Sequence, residues 1–347
     1  MKSIVLTDIL DMEMREIPDP GVVKPDDVLL QVCTVGVCGS DIHYYKTGRI
    51  GSQVVEYPYA VGHEFSGKVI AVGSAVTRVK PGDNVAVDPA MPCRNCDQCR
   101  IGRLHTCRNL KFLGCPGQAD GCLSERIVMP EGSCFKVGSD MSLEDAAIVE
   151  PLSIGVYAVQ LSAISMKDAK IGILGFGPIG MSVLLPALAE GASTVYVTDK
   201  INARLDIARA SGVTWAGNRD AVDVVSEITD QEPGLLDVVF ECCGEQEALD
   251  DAIELLKPGG KLMFIGIPEV DRVSFACDRI RRKEICIQNV RRQNECVQPA
   301  IDLIEQGRVD ISKMITHRYS LAKTKDAFDL VCDYADGVMK AVVNVSF

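Results

Sequence analysis

The sequence predicts an α/β protein of two domains, a β-barrel or sandwich followed by a doubly wound parallel sheet. Three observations carry this reading. At 347 residues the chain exceeds the usual size of a single core. Its first 150 or so residues are short β-rich runs broken by Gly and Pro, and from about Leu152 strand-like and helix-like runs alternate.

In the first part, VLLQVCTVGVCG, EFSGKVIAVGSAV and DNVAVDP read as strands, separated by turn signals such as Lys80-Pro81-Gly82-Asp83. Strands this short and this regularly interrupted indicate a barrel or sandwich. In the second part, AKIGILGFG is a buried strand, PIGMSVLLPALAEG a helix, STVYVTD a strand and ARLDIARASG a helix. LLDVVFECCG, ALDDAIELLKPGG and KLMFIGI continue the alternation, which a parallel sheet covered on both faces requires. Pro186 falls inside the first of these helices, where its missing N–H must kink the helix or leave a carbonyl without its bond. After about Val290, VQPAIDLIEQG and TKDAFDLVCDYADG read as helices and AVVNVSF as a closing strand. There is no internal repeat and no low-complexity segment.

Composition excludes several function classes. The balance of 36 basic against 48 acidic side chains gives a net charge of −12, which repels nucleic-acid phosphates and anionic lipid. No apolar run reaches the roughly 18 residues of a membrane span, and the acid-bearing N-terminus MKSIVLTDILDMEMREIPDP has no signal-peptide core. Fifteen cysteines without a secretion signal point to a reducing, cytoplasmic setting and to metal ligands, not disulfides.

The sharpest dinucleotide signal is Gly175-Phe176-Gly177-Pro178-Ile179-Gly180, which follows the strand IGIL and opens a helix. A glycine turn there lets backbone N–H groups approach a pyrophosphate at the helix N-terminus. The next strand ends at Asp199, roughly 20 residues on, where a carboxylate accepts bonds from a ribose diol. A 2′-phosphate within about 4 Å of that carboxylate would cost on the order of 4 kcal/mol per unit charge, which favours NAD over NADP. Arg204 complicates this, since a guanidinium there either binds a phosphate or stacks on adenine.

Cys93-x-x-Cys96-x-x-Cys99 followed by Cys107 offers four thiolates at a spacing that closes a tetrahedron around zinc, a structural site. His105 is a less suitable ligand beside four Cys. A second group is scattered: Cys38 in VGVCGSDIH, His63-Glu64 in VGHEFSG and Glu150 in IVEPLSIG. Cys, His and carboxylate suit a zinc that keeps an open position, but spacing alone does not assemble them. Taken singly, Cys38 reads as a core cysteine, His63 as a turn residue and the two glutamates as solvated acids.

In order along the chain, CGSDIHYYKTGRIG, VGHEFSG, the four-Cys lobe, EPLSIG and GFGPIG resemble the zinc-containing medium-chain alcohol dehydrogenases, most closely their sorbitol (polyol) dehydrogenase branch. The resemblance implies a GroES-like catalytic domain over 1–151, completed by 291–347, with a Rossmann NAD-binding domain over 152–290. It implies a catalytic zinc held by Cys38, His63 and Glu64, with Glu150 as fourth ligand or acting through the zinc-bound water. Adjacent residues on a regular strand point to opposite faces, so His63 and Glu64 ligate together only if the backbone turns after Gly62; otherwise Glu64 supports a ligand from behind.

The resemblance also implies a proton relay through Ser40 and His43, and NAD contacts from Gly175, Gly177, Pro178, Ile179, Gly180, Asp199, Arg204, Ile265, Gly266 and Ile267. Ser40 reads otherwise as a turn cap and His43 as a packed imidazole. Tyr44, Phe112 and Arg292 match positions of the polyol pocket. The branch's Val-Phe-Arg-Tyr stretch appears here as Val290-Arg291-Arg292-Gln293. The added Arg291 keeps a sugar acid of the L-idonate kind or a sugar phosphate open beside a polyol, unless it is a surface or subunit-contact residue. Threonine and butanediol dehydrogenases are further alternatives on the same scaffold, and a homotetramer is implied.

Overall fold

The computed structural model describes residues 1–21 and 24–345. The chain divides into two compact units. The first comprises Met1–Glu150, Val297–Glu305 and Met314–Phe347, and the second Pro151–Cys296 and Gln306–Lys313. The division falls within one helix, Leu143–Ser162, which runs through Pro151 without a linker. Residues 291–296, which the resemblance assigns to the catalytic part, group with the second unit.

The first unit is built on a seven-stranded sheet. Its central strand, Asp27–Gly36, pairs along one edge with Glu64–Val72. Along the other edge it takes two partners in turn, Arg126–Pro130 against residues 27–31 and Lys340–Asn344 against residues 34–36. A strand that exchanges partners along one edge lets a sheet bend from one layer into the next. Apolar side chains such as Val28, Leu30, Val32, Phe65 and Val85 fill the interior, all at most 2% exposed.

The C-terminal helix Thr324–Cys332 closes this core over the helix Gly39–Thr47. The Tyr45 ring meets Phe328 edge-on at 5.5 Å and its hydroxyl donates to Asp329 at 2.6 Å. The predicted closing strand is observed as Lys340–Asn344, and Ser346 and Phe347 of AVVNVSF lie outside the described residues.

The second unit is a six-stranded parallel sheet. From one edge to the other its strands are Trp215–Asn218, Thr194–Asp199, Lys170–Leu174, Leu236–Glu241, Leu256–Phe264 and Cys286–Asn289. The order reverses between Lys170–Leu174 and Leu236–Glu241, the switch point at whose carboxyl ends dinucleotides bind in such sheets. Sequence periodicity missed both edge strands, since Trp215–Asn218 and Cys286–Asn289 have four residues each. Among the described residues no helix is long and apolar enough to cross a membrane.

Pro186 has a structural account. The helix Pro178–Ala189 continues through it, so the Ser182 carbonyl, four residues earlier, receives no amide proton from position 186. Gly155 lies against that carbonyl so closely that a Cβ there would sit 1.8 Å from its oxygen. The missing bond at that carbonyl coincides with this close packing, and only glycine permits the approach. Gly155→Ala is expected to destabilise the protein by about 1–3 kcal/mol in urea unfolding, because backbone cannot yield as a side chain does; an unchanged midpoint would remove this account.

Candidate metal centre and dinucleotide site

Cys38 is the N-cap of the helix Gly39–Thr47, and its backbone N–H donates to Asp41 Oδ2 at 3.2 Å. Asp41 is fully buried, and its Oδ1 accepts from Gly62 N at 3.1 Å and lies 3.3 Å from His63 Nδ1. One carboxylate thus ties the turn carrying Cys38 to the loop carrying His63. Engaging Nδ1 leaves Nε2 as the ligand atom, the usual division of labour in a metal-binding histidine. Gly62 has a φ of +95°, so the backbone does turn just before His63, and Glu64 begins the strand behind it.

The outcome is convergence. One ligand atom each from Cys38, His63 and Glu64 lies within 4.8 Å of the others. Soft thiolate, imidazole and carboxylate are the donor types zinc takes in open sites, so the residues present fit that ion. Burial alone would lower the His63 pKa, yet the charges of Asp41 and Cys38 hold it well above its ordinary value.

Glu64 has a partner that sequence reasoning missed. Lys340, 1% exposed, donates to Glu64 Oε1 at 2.9 Å and Oε2 at 2.6 Å, and to the Val37 carbonyl at 3.2 Å. Gly36 makes room, since a Cβ there would stand 2.3 Å from Glu64 Oε2. Glu150 is buried outside the tight group but within its electrostatic reach. Burial pushes its carboxyl up to about 8; His63 opposes the rise, Glu64 and Asp88 add to it, and Lys340 opposes it.

The remaining residues of the implied site surround this centre or belong to the second unit. Ser40 Oγ lies 3.4 Å from Cys38 Sγ. His43, half-buried, follows one turn later on the same helix, and Tyr44 beside it is buried. The Phe112 ring packs 5.4 Å from the His63 ring. Arg292 is in the second unit with a φ of +54°, and its neighbour Arg291 is exposed.

The four-Cys lobe is also assembled. Cys96–Cys99, Cys93–Cys107 and Cys96–Cys107 sulfurs stand 3.5, 3.4 and 3.9 Å apart. A tetrahedron with zinc–sulfur bonds of about 2.3 Å has edges of about 3.8 Å, so the set fits a closed zinc site. Arg108 clamps the lobe through Asp97 at 2.5 and 2.8 Å, and the backbone N–H of Asn95 holds the Cys93 thiol down at about 6.

In the second unit Gly175 has a φ of +91° and a Cβ at Gly180 would stand 2.2 Å from the Gly175 carbonyl. Gly177 is the N-cap and Pro178 the first residue of the following helix, which also carries Ile179. Asp199 accepts from Phe176 N at 2.7 Å and Ile201 N at 2.8 Å, which fixes its carboxylate beside the glycine turn. Arg204 is buried against Gly177.

Across the switch point, Glu241 is fully buried and its Oε1 accepts from Cys243 N and Gly244 N at 2.7 and 2.6 Å. Its carbonyl accepts from Ile265 N and Gly266 N, which positions the 265–267 turn; Ile267 is 42% exposed. Periodicity gave no reason to single out Glu241, a charged residue inside an apolar strand.

A doubly wound dinucleotide sheet, together with a unit carrying one open and one closed zinc-ligand set, defines a zinc-dependent dehydrogenase. Residues 24–139 match the model of the alcohol dehydrogenase GroES-like domain and residues 178–306 that of the zinc-binding dehydrogenases. The chain is 35% identical to a sorbitol dehydrogenase of Bacillus subtilis, over 99% of this chain and 97% of that protein. It is 33% identical to an L-arabinitol 4-dehydrogenase of Aspergillus oryzae, over 95% and 89%. Among solved structures it superposes, with a TM-score of 0.88 and 27% identity over 99% of both chains, on a short chain alcohol dehydrogenase from E. coli complexed with NADH. The chain therefore belongs to the zinc-binding alcohol dehydrogenase family. It is an oxidoreductase whose cofactors are zinc and a nicotinamide dinucleotide.

The buried Glu64–Lys340 pair offers a direct test of what holds the open site. Lys340→Met leaves a buried carboxylate unpaired and is expected to cost about 3–5 kcal/mol in denaturant unfolding. A loss below about 1 kcal/mol would mean that the pair does not organise the centre.

Proposed function

We propose that the protein oxidises a secondary hydroxyl of a neutral polyol of the sorbitol or xylitol kind with NAD, giving a ketose. The observation that carries this is the convergence of Cys38, His63 and Glu64, with Phe112 packed on His63 and Tyr44 on the helix that Cys38 caps, in a chain 35% identical to a sorbitol dehydrogenase. In this reading Cys38 and His63 hold the catalytic zinc, Glu64 and Glu150 complete or support its coordination, and Cys93, Cys96, Cys99 and Cys107 hold the structural one. Bound there, zinc supplies a Lewis acid to an alcohol oxygen and NAD supplies the hydride acceptor.

The protein's own groups do the rest. Ser40 Oγ accepts the alcohol proton as it gives up its own, which His43 passes towards solvent. Asp199 binds the ribose diol of the cofactor and, as a fixed carboxylate, disfavours a 2′-phosphate. Gly175, Gly177 and Gly180 let the pyrophosphate approach backbone N–H groups, with Arg204 and the 265–267 turn lining the same cleft. Tyr44 and Phe112 line the substrate side, and the resemblance adds Arg292 to the residues that recognise substrate. The resemblance supports a homotetramer with small-molecule partners alone, neither nucleic acid nor membrane. None of the fifteen cysteines is in a disulfide, which supports a cytoplasmic location.

Metal analysis is expected to find two zincs per chain, and a panel of sorbitol, xylitol, galactitol, L-idonate and sugar phosphates to give NADH fastest with a neutral polyol. Preference for an acid or phosphate would overturn the polyol assignment, and a preference for NADP would overturn the role of Asp199. His43→Gln is expected to slow oxidation most at acid pH, where solvent is the poorest proton acceptor, while sparing zinc content. An unchanged rate profile would remove the relay.

A further inference from the structure

The helix carrying Cys38, Ser40, His43 and Tyr44 ends at Gly48 and runs directly into a short hairpin. Its strands are Arg49–Ile50 and Gln53–Val54, with Ile50 opposite Gln53. The half-buried Gln53 points its amide at two buried residues. Gln53 Nε2 donates to Cys115 Sγ at 2.8 Å, and Tyr44 donates through its hydroxyl to Gln53 Oε1 at 3.3 Å. Cys115 is in turn held in the Phe112 turn, its N–H donating to the Phe112 carbonyl at 3.3 Å. Gln53 is therefore joined on one side to the helix that Cys38 caps and on the other to the turn of Phe112, whose ring packs on His63.

A carboxamide has two N–H donors and two carbonyl lone pairs. Cys115 uses one donor and Tyr44 one lone pair, and these two bonds fix the plane of the group. Among the described residues one N–H and one lone pair remain without a partner. That complement matches a pair of neighbouring hydroxyls, one accepting from the N–H and the other donating to the carbonyl. It mismatches an anion, whose oxygens would face the carbonyl lone pair with nothing to donate. We propose that Gln53, oriented by Tyr44 and Cys115, is a specificity-determining residue that selects substrates bearing hydroxyls next to the reacting carbinol. The proposal rests on the polyol reading above and deepens it.

The test uses the zinc-loaded protein and compares a polyol with a monohydric secondary alcohol of similar length. Gln53→Leu and Gln53→Met keep the side chain's bulk and remove the amide. Both are expected to lower the polyol-to-monohydric ratio of kcat/KM by about 10- to 100-fold, chiefly through KM for the polyol. If the wild type favours the polyol and both variants keep its ratio, Gln53 is not the selector and the polyol reading stands. If the wild type shows no preference for the polyol, the polyol reading itself fails. A further arm needs no variant: on the wild type, replacing the hydroxyl beside the carbinol by hydrogen is expected to cost a similar factor. Equal rates on the two substrates would overturn the proposal even if neither variant folds.

Discussion

The metal centre depends on one buried carboxylate. Asp41 receives the Cys38 N–H, receives the Gly62 N–H and faces His63 Nδ1, all within 3.3 Å. Neither the helix turn nor the loop after Gly62 would by itself fix the separation of a thiolate and an imidazole. With no water to compete for it, each of these bonds is stronger than its exposed counterpart, and leaving any one unmade would strand a buried polar group. The carboxylate works from behind the imidazole, where it sets the tautomer without occupying a coordination position.

Charge management around that centre follows from the same burial. Glu64, Glu150 and Asp41 all lie at low exposure in one region of the first unit. Lys340 is a buried ammonium that offsets Glu64 and Glu150, and it comes from the strand that completes the sheet, 276 residues after Glu64. The C-terminal return of the chain therefore supplies electrostatic balance as well as a strand. Without it Glu64 would lack its buried cationic partner, and an isolated ion in such a place is prohibitively costly.

The second unit solves a different problem, the close approach of backbone to backbone. Gly175, Gly180, Gly244 and Gly266 stand where a Cβ would meet neighbouring atoms at 2.8 Å or less. Such contacts bring the glycine turn and the 265–267 turn together at the carboxyl ends of two strands on either side of the switch point. Asp199 and Glu241, one from each side, then fasten these turns through backbone N–H groups. The carboxylate expected to face a ribose is thus also part of the frame that holds the phosphate-binding turn.

The dinucleotide turn, the alternation of strands and helices and the four-Cys lobe were legible in the sequence because each is local. Their chemistry is complete within a few tens of residues, and hydrophobic period or ligand spacing reports it directly. The strands Glu64–Val72 and Leu236–Glu241 are legible for the same reason, whereas the four-residue edge strands are too short to show a period. Cys38, His63 and Glu64 could be named only through family resemblance, since nothing in their spacing brings them together. Asp41, Lys340, Glu241 and Gln53 gave no sequence signal at all. Their importance is a matter of which buried atoms face one another across long stretches of chain, and that is settled only when the sheet closes and water is removed.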